Sequence, residues 1–471
     1  MSIDQRMMLL CCLLSVAADQ PQWGERYTRN MVSAETGLPD SFDPATGTNV
    51  KWSAALGTET YSTPIIAGGR VLIGTNNEAP RDIDHTGDRG VLMCFDERDG
   101  RFCWQLVCHK ITTSRFWDWP YDGMCSPATV ESNRVYMVTN RGEVLCLDLY
   151  AKKTTLTEAD AFWRFDIIGE CGVRQHDSAH CSILLHGRYL YVNTSNGLDD
   201  AHKTIPSPNA PSLIVLDKTT GKLVAREREN IGPNTFHSTW SSPALGEVGG
   251  RPLAFFCGGN GIVYAFEPVT LNKVWQYDPD PTAPKENVHS YIRNRKVSPS
   301  NIKSMPVFHN GRLYVTHGGD VWWGKNEAWL KCVDAAKGVE LWSYPLERHC
   351  MSTPAVAGGL VFVADCGAKL HCVDAATGTP HWTHDTGGDM WSSPLVADGK
   401  VYIGTRRGDF LILAADKEKK VLCSVKPGNP IHATATAANG IVYVATMKKL
   451  FAISDGCVSA PTVTSTTGTP R

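Results

Sequence analysis

Ser352-Thr353-Pro354, Gly359-Leu360-Val361-Phe362-Val363, Asp374-Ala375-Ala376-Thr377-Gly378 and Trp382 form one unit, and 40 residues on the pattern restarts as Ser392-Ser393-Pro394 and Gly399-Lys400-Val401-Tyr402-Ile403. Asp334 and Asp374 are also 40 apart. A period of roughly 40–45 residues with several short strands per unit predicts a four-stranded propeller blade. The strands of one unit read Pro394 to Ala397, Val401 to Gly404, Phe410 to Ala414 and Lys420 to Cys423. Turn pairs such as Asp398-Gly399 separate them, and their Val, Ile and Leu content suits a half-buried pleated surface. Further copies start at Ser62-Thr63-Pro64, Ser126-Pro127, Ser182, Ser241-Ser242-Pro243, Ser304-Met305-Pro306 and Ala433-Thr434, making eight.

The Asp-x-x-Thr-Gly element is a hairpin turn: Asp and Thr side chains hold local backbone groups, and Gly takes the positive φ. A Trp four residues after the Gly then falls on the outermost strand, able to pack between blades. Trp104, Trp275, Trp342 and Trp382 keep it, as does Trp163 after an insertion; Ala225 and Cys423 replace it, which predicts weaker contacts there. The last repeat stops after Leu450 to Ile453 without an outer strand. Near the start, Asp43-Pro44-Ala45-Thr46-Gly47 leads into Val50-Lys51-Trp52 with no blade before it. This N-terminal strand is expected to complete the C-terminal blade, closing the ring and removing open sheet edges. The expected fold is therefore all-β, an eight-bladed propeller over residues 49–455, preceded by an extension at 19–48 and followed by a Ser/Thr/Pro-rich tail at 456–471.

Composition agrees with a large globular ring. The chain has 471 residues, 42 glycines and 14 tryptophans. Lys and Arg number 46 against 48 Asp and Glu, a balance that supplies no electrostatic footprint for nucleic acid or an anionic membrane. Arg6 precedes the apolar run Met7 to Ala17, with small residues at Ser15, Ala17 and Ala18, so residues 1–18 read as an export signal. The mature chain is then expected in the periplasm or otherwise outside the cytoplasm. No later stretch reaches about 18 apolar residues, and no transmembrane segment is expected in the mature chain.

Export permits disulfides. Cys94, Cys146, Cys332 and Cys372 recur at one repeat position and read as small buried hydrophobes. Cys350 with Cys366, and Cys103 with Cys108, are the candidate bridges, and connectivity stays open.

Together, Ser-x-Pro, Gly-x-Val-Tyr and Asp-x-x-Thr-Gly-x-x-x-Trp resemble the pyrroloquinoline-quinone-type repeat of the tryptophan-docked eight-bladed propellers. Gln22-Trp23-Gly24, Arg29-Asn30 and Asn49 to Ser53 look closest to exported bacterial members of that family. The resemblance implies two functional classes: quinoprotein alcohol dehydrogenases, and non-catalytic propellers similar to the lipoprotein of the outer-membrane-protein assembly machine. The dehydrogenases hold the quinone between a Trp floor and a disulfide of adjacent cysteines, beside Ca²⁺ and a catalytic Asp. Here the one adjacent pair is Cys11-Cys12, inside the apolar run. Trp240 or Trp391 stand as floor candidates, and Asp320 or Asp365 as base or Ca²⁺ ligand.

Residues just before each innermost strand gather at a propeller axis. That position is occupied by Tyr61, Met124, His180, Trp240, Lys303, Met351, Trp391 and His432. A second ring follows the second strands: Asn76, Asn140, Asn196, Asn260, Asp320, Asp365 and Arg406. Aromatic walls with a few placed polar groups suit a small ligand, so the axial mouth is the candidate cofactor or ligand site, the alternative being side chains that merely fill a channel. His176-Asp177 and His180 are close enough for a metal or acid/base pair but lack a second group at zinc-finger spacing, so no metal-ligand set is identified. Trp322-Trp323 reads as an exposed anchor or as packing between blades. Insertions fall at about 76–90, 107–120, 149–162, 197–211, 279–300 and 318–328, and the basic end of the fifth, Arg293 to Lys296, is a candidate for meeting an anionic ligand.

The expectation is an exported, non-catalytic binding or scaffolding module with an unknown protein partner or a small ligand at the axial mouth. The alternative is a dehydrogenase using pyrroloquinoline quinone with Ca²⁺.

Overall fold

The computed structural model describes residues 18–458; the expected export signal and most of the expected tail lie outside them. Eight sheets, each built on four antiparallel strands, follow one another around a ring, and two add a short parallel strand, Val32–Ser33 and Thr155–Leu156. Blade 6 shows the pattern, with Ala355–Ala357 innermost, then Leu360–Ala364, Lys369–Asp374 and Pro380–Asp385 outermost. Blade 7 follows as Leu395–Ala397, Lys400–Gly404, Phe410–Ala414 and Val421–Val425, within a residue or two of the expected strands. Blade 8 takes Thr436–Ala438, Ile441–Ala445 and Lys449–Val458 from the C-terminus and its outer strand, Thr48–Ala55, from the N-terminus. The two ends pair antiparallel, Val50 opposite Ile453 and Ala54 opposite Leu450, so the ring closes as expected. Helix is confined, among the described residues, to Ile167–Cys171 and three short 3₁₀ turns.

The turn chemistry explains how blades lock together. In blade 6 the Asp374 carboxylate accepts from the Ala376 and Thr377 amides at 2.9 and 3.0 Å, and Gly378 closes the turn at φ +73°. Trp342 of blade 5 lies flat on Gly378 and donates its indole N–H to the Ala375 carbonyl at 3.2 Å. Trp52, Trp104, Trp163, Trp275 and Trp382 make the same bond to the next blade, at 2.9–3.1 Å. Each buries a large ring and satisfies its one polar atom. Opposite four of these rings in the ladder stand Cys94, Cys146, Cys332 and Cys372, all buried, which is the packing role expected of them.

At the two positions without Trp the ring is held by other means. Between blades 3 and 4 the Tyr191 hydroxyl accepts from the Val269 amide at 3.1 Å. Between blades 7 and 8, Leu38 and Phe42 of the N-terminal extension fill the gap, Phe42 against Phe410 at 5.7 Å.

All 14 described cysteines are free. Cys103, at a bulge, and Cys108 lie on one strand, Phe102–His109, and both pack against the cluster between blades 1 and 2, but five residues of extended chain, about 16 Å, separate them. The Cys350 and Cys366 thiols each point to a backbone carbonyl instead, Ala364 and Met390.

The extension at 19–48 does more than lead into the closing strand. Residues 20–35 thread through the centre of the ring and bond the inner part of every blade. The carbonyls of Gln20, Pro21, Tyr27, Thr28 and Met31 accept from Ile66, Val130, Leu245, Phe308 and Val396 amides at 2.8–3.0 Å. Asn30 bonds both backbone groups of Val356 at 2.8 Å, and Ser33 donates to Ala437 at 3.0 Å. Arg29, fully buried, donates to the carbonyls of Pro243, Trp23 and Ser182 at 2.8–3.0 Å, with a further bond to the Ser182 hydroxyl. Burial lowers its pKa to about 10, which leaves it cationic at neutral pH.

Two stability outcomes follow from this packing. Gly338→Ala and Gly399→Ala both place a side chain at positive φ, but only the first drives a Cβ into an indole, 2.5 Å from Trp275. Urea unfolding should show both destabilised by about 1–2 kcal/mol from the backbone, with Gly338→Ala losing a further ~1–3 kcal/mol. Arg29→Ala, which strips three buried carbonyls of a charged donor, should cost about 3 kcal/mol or more in the same assay.

Candidate functional site

With one end of the channel filled, the other end is a blind cavity of about 380 Å³. Trp23 of the threading segment reaches it from below. Seven of the eight expected axial residues line it: Tyr61, His180, Trp240, Lys303, Met351, Trp391 and His432. Met124 does not. Its side chain turns into the apolar cluster between blades 1 and 2 with Leu72 and Met137, and its neighbours Asp122 and Cys125 face the cavity instead.

The second ring has a different role from the one expected. None of its seven members lines the cavity. Asn76 bonds the Thr58 amide and Tyr121 carbonyl, Asn196 the Arg174 amide and Ser207 carbonyl, and Asp365 the amides of Glu347, Gly367 and Lys369. Asn140 likewise bonds the His109 carbonyl and Asp118, and Asn260 the Tyr264 hydroxyl. These residues staple loop backbones. Arg406 packs over Trp391 at 4.3 Å and pairs with Asp389.

Asp320 is the member with a second task. Its carboxylate accepts from the Trp322 and Trp323 amides at 3.0 Å, lies 3.1 Å from Lys303 Nζ and 3.1 Å from His237 Nδ1. Burial opposes its charge, yet Lys303 and His237 outweigh that and hold its pKa far below the usual carboxylate range. Lys303 in turn sits 3.9 Å from the Trp240 ring, its pKa lowered by burial. At Asp122 burial wins over the attraction of Lys110 and pushes its pKa well up.

The long insertions build the rest of the wall. Phe116 and Trp119 come from the second, His202 from the fourth and Trp322 and Trp323 from the sixth. Trp322 stands edge-on to both Trp240 and Trp391 at 5.6 Å, and Trp323 packs on His202 at 4.5 Å. The pair thus roofs the cavity rather than projecting as an anchor or wedging between blades. Arg293 and Arg295, expected to meet an anion, clamp this roof: the Arg293 amide donates to the Trp323 carbonyl, and Arg295 bonds the Trp322 carbonyl at 2.6 Å. For Phe116, Trp119 and His202 the sequence signal is loop length alone.

Asp177 and His202 lie in the cavity wall, with His176 and His237 buried behind them, the ligating atoms of the three histidines falling within 4.8 Å of one another. His180 faces away from this group, its Nε2 2.9 Å from the Asp177 carbonyl and its ring on Trp240.

These residues do not fit pyrroloquinoline quinone with Ca²⁺. Its carboxylates would meet the Asp177 carboxylate, against a single lining cation, Lys303, already paired with Asp320. Cys125 is alone in the wall, so no disulfide roofs the cavity. The cluster of ligating side chains at the wall is rich in nitrogen, whereas Ca²⁺ takes oxygen.

Burial holds His432 near pKa 3 and His180 near 4, against about 6.5 in an unfolded chain. Between pH 6.5 and 4 the unfolded chain takes up protons at these sites that the fold does not, so stability falls as pH falls. His432→Gln should flatten the dependence of unfolding free energy on pH across that window by up to about 1.4 kcal/mol per pH unit, measured by urea titrations at each pH.

Residues 326–454 match the family of the outer membrane protein assembly factor BamB. No curated protein matches the chain. Among solved structures, BamB from Moraxella catarrhalis aligns at TM-score 0.56 and 12% identity, covering 87% of this chain and 98% of that one. A quinohemoprotein alcohol dehydrogenase from Pseudomonas putida aligns at 0.55 and 12%, covering 94% and 81%. A computationally designed protein, Ika8, aligns at 0.52 and 11%, covering 86% and 99%. At such identities the alignments speak for the fold, an eight-bladed propeller shared by an assembly factor, a dehydrogenase and a design; the repeat of the assembly-factor family is carried by residues 326–454.

Proposed function

We propose that this chain is an exported, non-catalytic binding module whose working site is the axial cavity. The carrying observation is the blind, aromatic-walled space of about 380 Å³ with Lys303, Asp122 and Asp177 at its wall. That size falls in the small-molecule range and suits a ring-shaped ligand rather than a folded segment of a partner. A channel needing only to be filled would not keep such a space behind a floor, Trp23, and a roof, Trp322 and Trp323. Export is supported by the apolar run at 7–17 and by the match of residues 326–454 to an outer-membrane assembly factor. Among the described residues no helix is long and apolar enough to cross a membrane. The partner is unknown.

The test is a thermal-shift screen of purified protein against indoles, purines, aryl acids, sugars and pyrroloquinoline quinone with Ca²⁺, followed by calorimetry. One ring class should bind saturably, and Trp391→Ala should weaken it about 10- to 100-fold, the worth of a buried aromatic contact. Unchanged affinity in both Trp391→Ala and Trp240→Ala would move the site off the axis. Saturable quinone binding with dye reduction would replace the reading with the dehydrogenase one. N-terminal sequencing of the exported product should begin within a residue or two of Ala18; an intact Met1 terminus would overturn export.

A further inference from the structure

We propose that His176, His202 and His237, with Asp177 beside two of them, form a binding site for one divalent first-row transition-metal ion at the wall of the axial cavity. This goes beyond the ligand-binding reading and stands without it.

Three loops far apart in sequence bring the histidines together. His176 precedes the inner strand of blade 3, His202 lies in the insertion between two strands of the same blade, and His237 precedes blade 4. Backbone bonds lace the loops into one body: His176 N to Ser195 O at 3.2 Å, Gly197 N to Arg174 O at 2.9 Å and Leu198 N to His237 O at 3.0 Å. Gly197 permits this approach, since a Cβ there would lie 2.6 Å from the His176 Cβ and 2.7 Å from the His237 carbonyl oxygen.

The rings are aimed by their other nitrogens. His176 Nδ1 lies 2.8 Å from the Leu198 carbonyl, and His237 Nδ1 lies 3.1 Å from the Asp320 carboxylate. Both acceptors keep the proton on Nδ1 and leave the Nε2 lone pair free, the usual support for a metal-bound imidazole. Nε2 of His176, of His202 and of His237 is buried without a hydrogen-bond partner, as is Asp177 Oδ1. His176 and His237 are fully buried, and His202 is 8% exposed. Buried orphans of this kind cost about 1–3 kcal/mol each, and here three such imidazoles are gathered with ligating nitrogens within 4.8 Å of one another.

The histidine nitrogens lie within 4.8 Å of one another, so small ring rotations would bring them onto one ion, and the carboxylate beside them is already at metal-ligand spacing. Asp177 Oδ2 lies 3.5 Å from His176 Nε2 and 3.4 Å from His237 Nε2. Donors on a tetrahedral ion with bonds of about 2.0–2.1 Å are roughly 3.3–3.4 Å apart. Three imidazoles and a carboxylate suit Zn²⁺ and its first-row neighbours and exclude Ca²⁺ and Mg²⁺, which take oxygen. Asp177 and His202 also line the cavity, so the ion would border it and offer an oxygen-donor ligand inside it a point of attachment.

The experiment is metal analysis and titration of the purified full chain. After chelator treatment the protein should take up one Zn²⁺ per chain with Kd tighter than about 1 μM, gain thermal stability with it, and give the visible absorption of nitrogen-ligated Co²⁺ when cobalt replaces zinc. His202→Ala, on an insertion rather than a blade, should fold and lose affinity more than ~100-fold. His381→Ala, on the outer strand of blade 6, should bind as the parent does. Trp391→Ala should also keep the metal stoichiometry, which separates failure of this site from failure of the cavity-ligand reading. Substoichiometric uptake, or full uptake by His202→Ala, would overturn the proposal.

Discussion

A ring of eight sheets leaves eight inner strands with one ladder edge facing the axis, and those unpaired amides and carbonyls must be satisfied. In this chain the N-terminal segment does it. Residues 20–35 cross the centre and bond each blade, and Arg29 stands where three carbonyls converge with no carboxylate near. A guanidinium suits that place because it carries five donors in a fixed fork and stays charged when buried. The axial cavity rests on this filling, which makes a through-channel into a cup and sets Trp23 as the floor.

Around the ring, the outer Trp and the Asp-x-x-Thr-Gly turn form a repeated joint. The indole covers the turn glycine, whose missing side chain leaves the space, and the indole N–H meets the carbonyl the turn leaves open. Because the joints sit at the rim, loops near the axis are free to lengthen. The insertions use that freedom, and Asp320 organises them by holding the Trp322-Trp323 roof, Lys303 and His237 with one carboxylate.

Inside the cup, charge is distributed unevenly. Lys303 and His237 hold the Asp320 pKa down, while burial pushes that of Asp122 up. His237 is raised, as the carboxylates of Asp320 and Asp177 outweigh its burial, whereas burial and the neighbouring His237 hold His176 near pKa 3. A wall that mixes aromatic faces with such groups can discriminate ligands by polarity as well as shape.

The repeat, the blade count, the strand limits in blade 7 and the closure of Thr48–Ala55 onto Lys449–Val458 were legible in the amino-acid order, because each depends on local turn chemistry and on a period of about 40 residues. Seven axial residues were legible too, since one repeat position always faces the axis. Met124 escaped the rule because a neighbouring apolar cluster could take its side chain. Only the tertiary structure decided that residues 20–35 fill the channel, that the second ring staples loops, and that His202 and His237 join His176. Those contacts link residues with no fixed spacing, on loops whose course is set by what they pack against rather than by their own sequence.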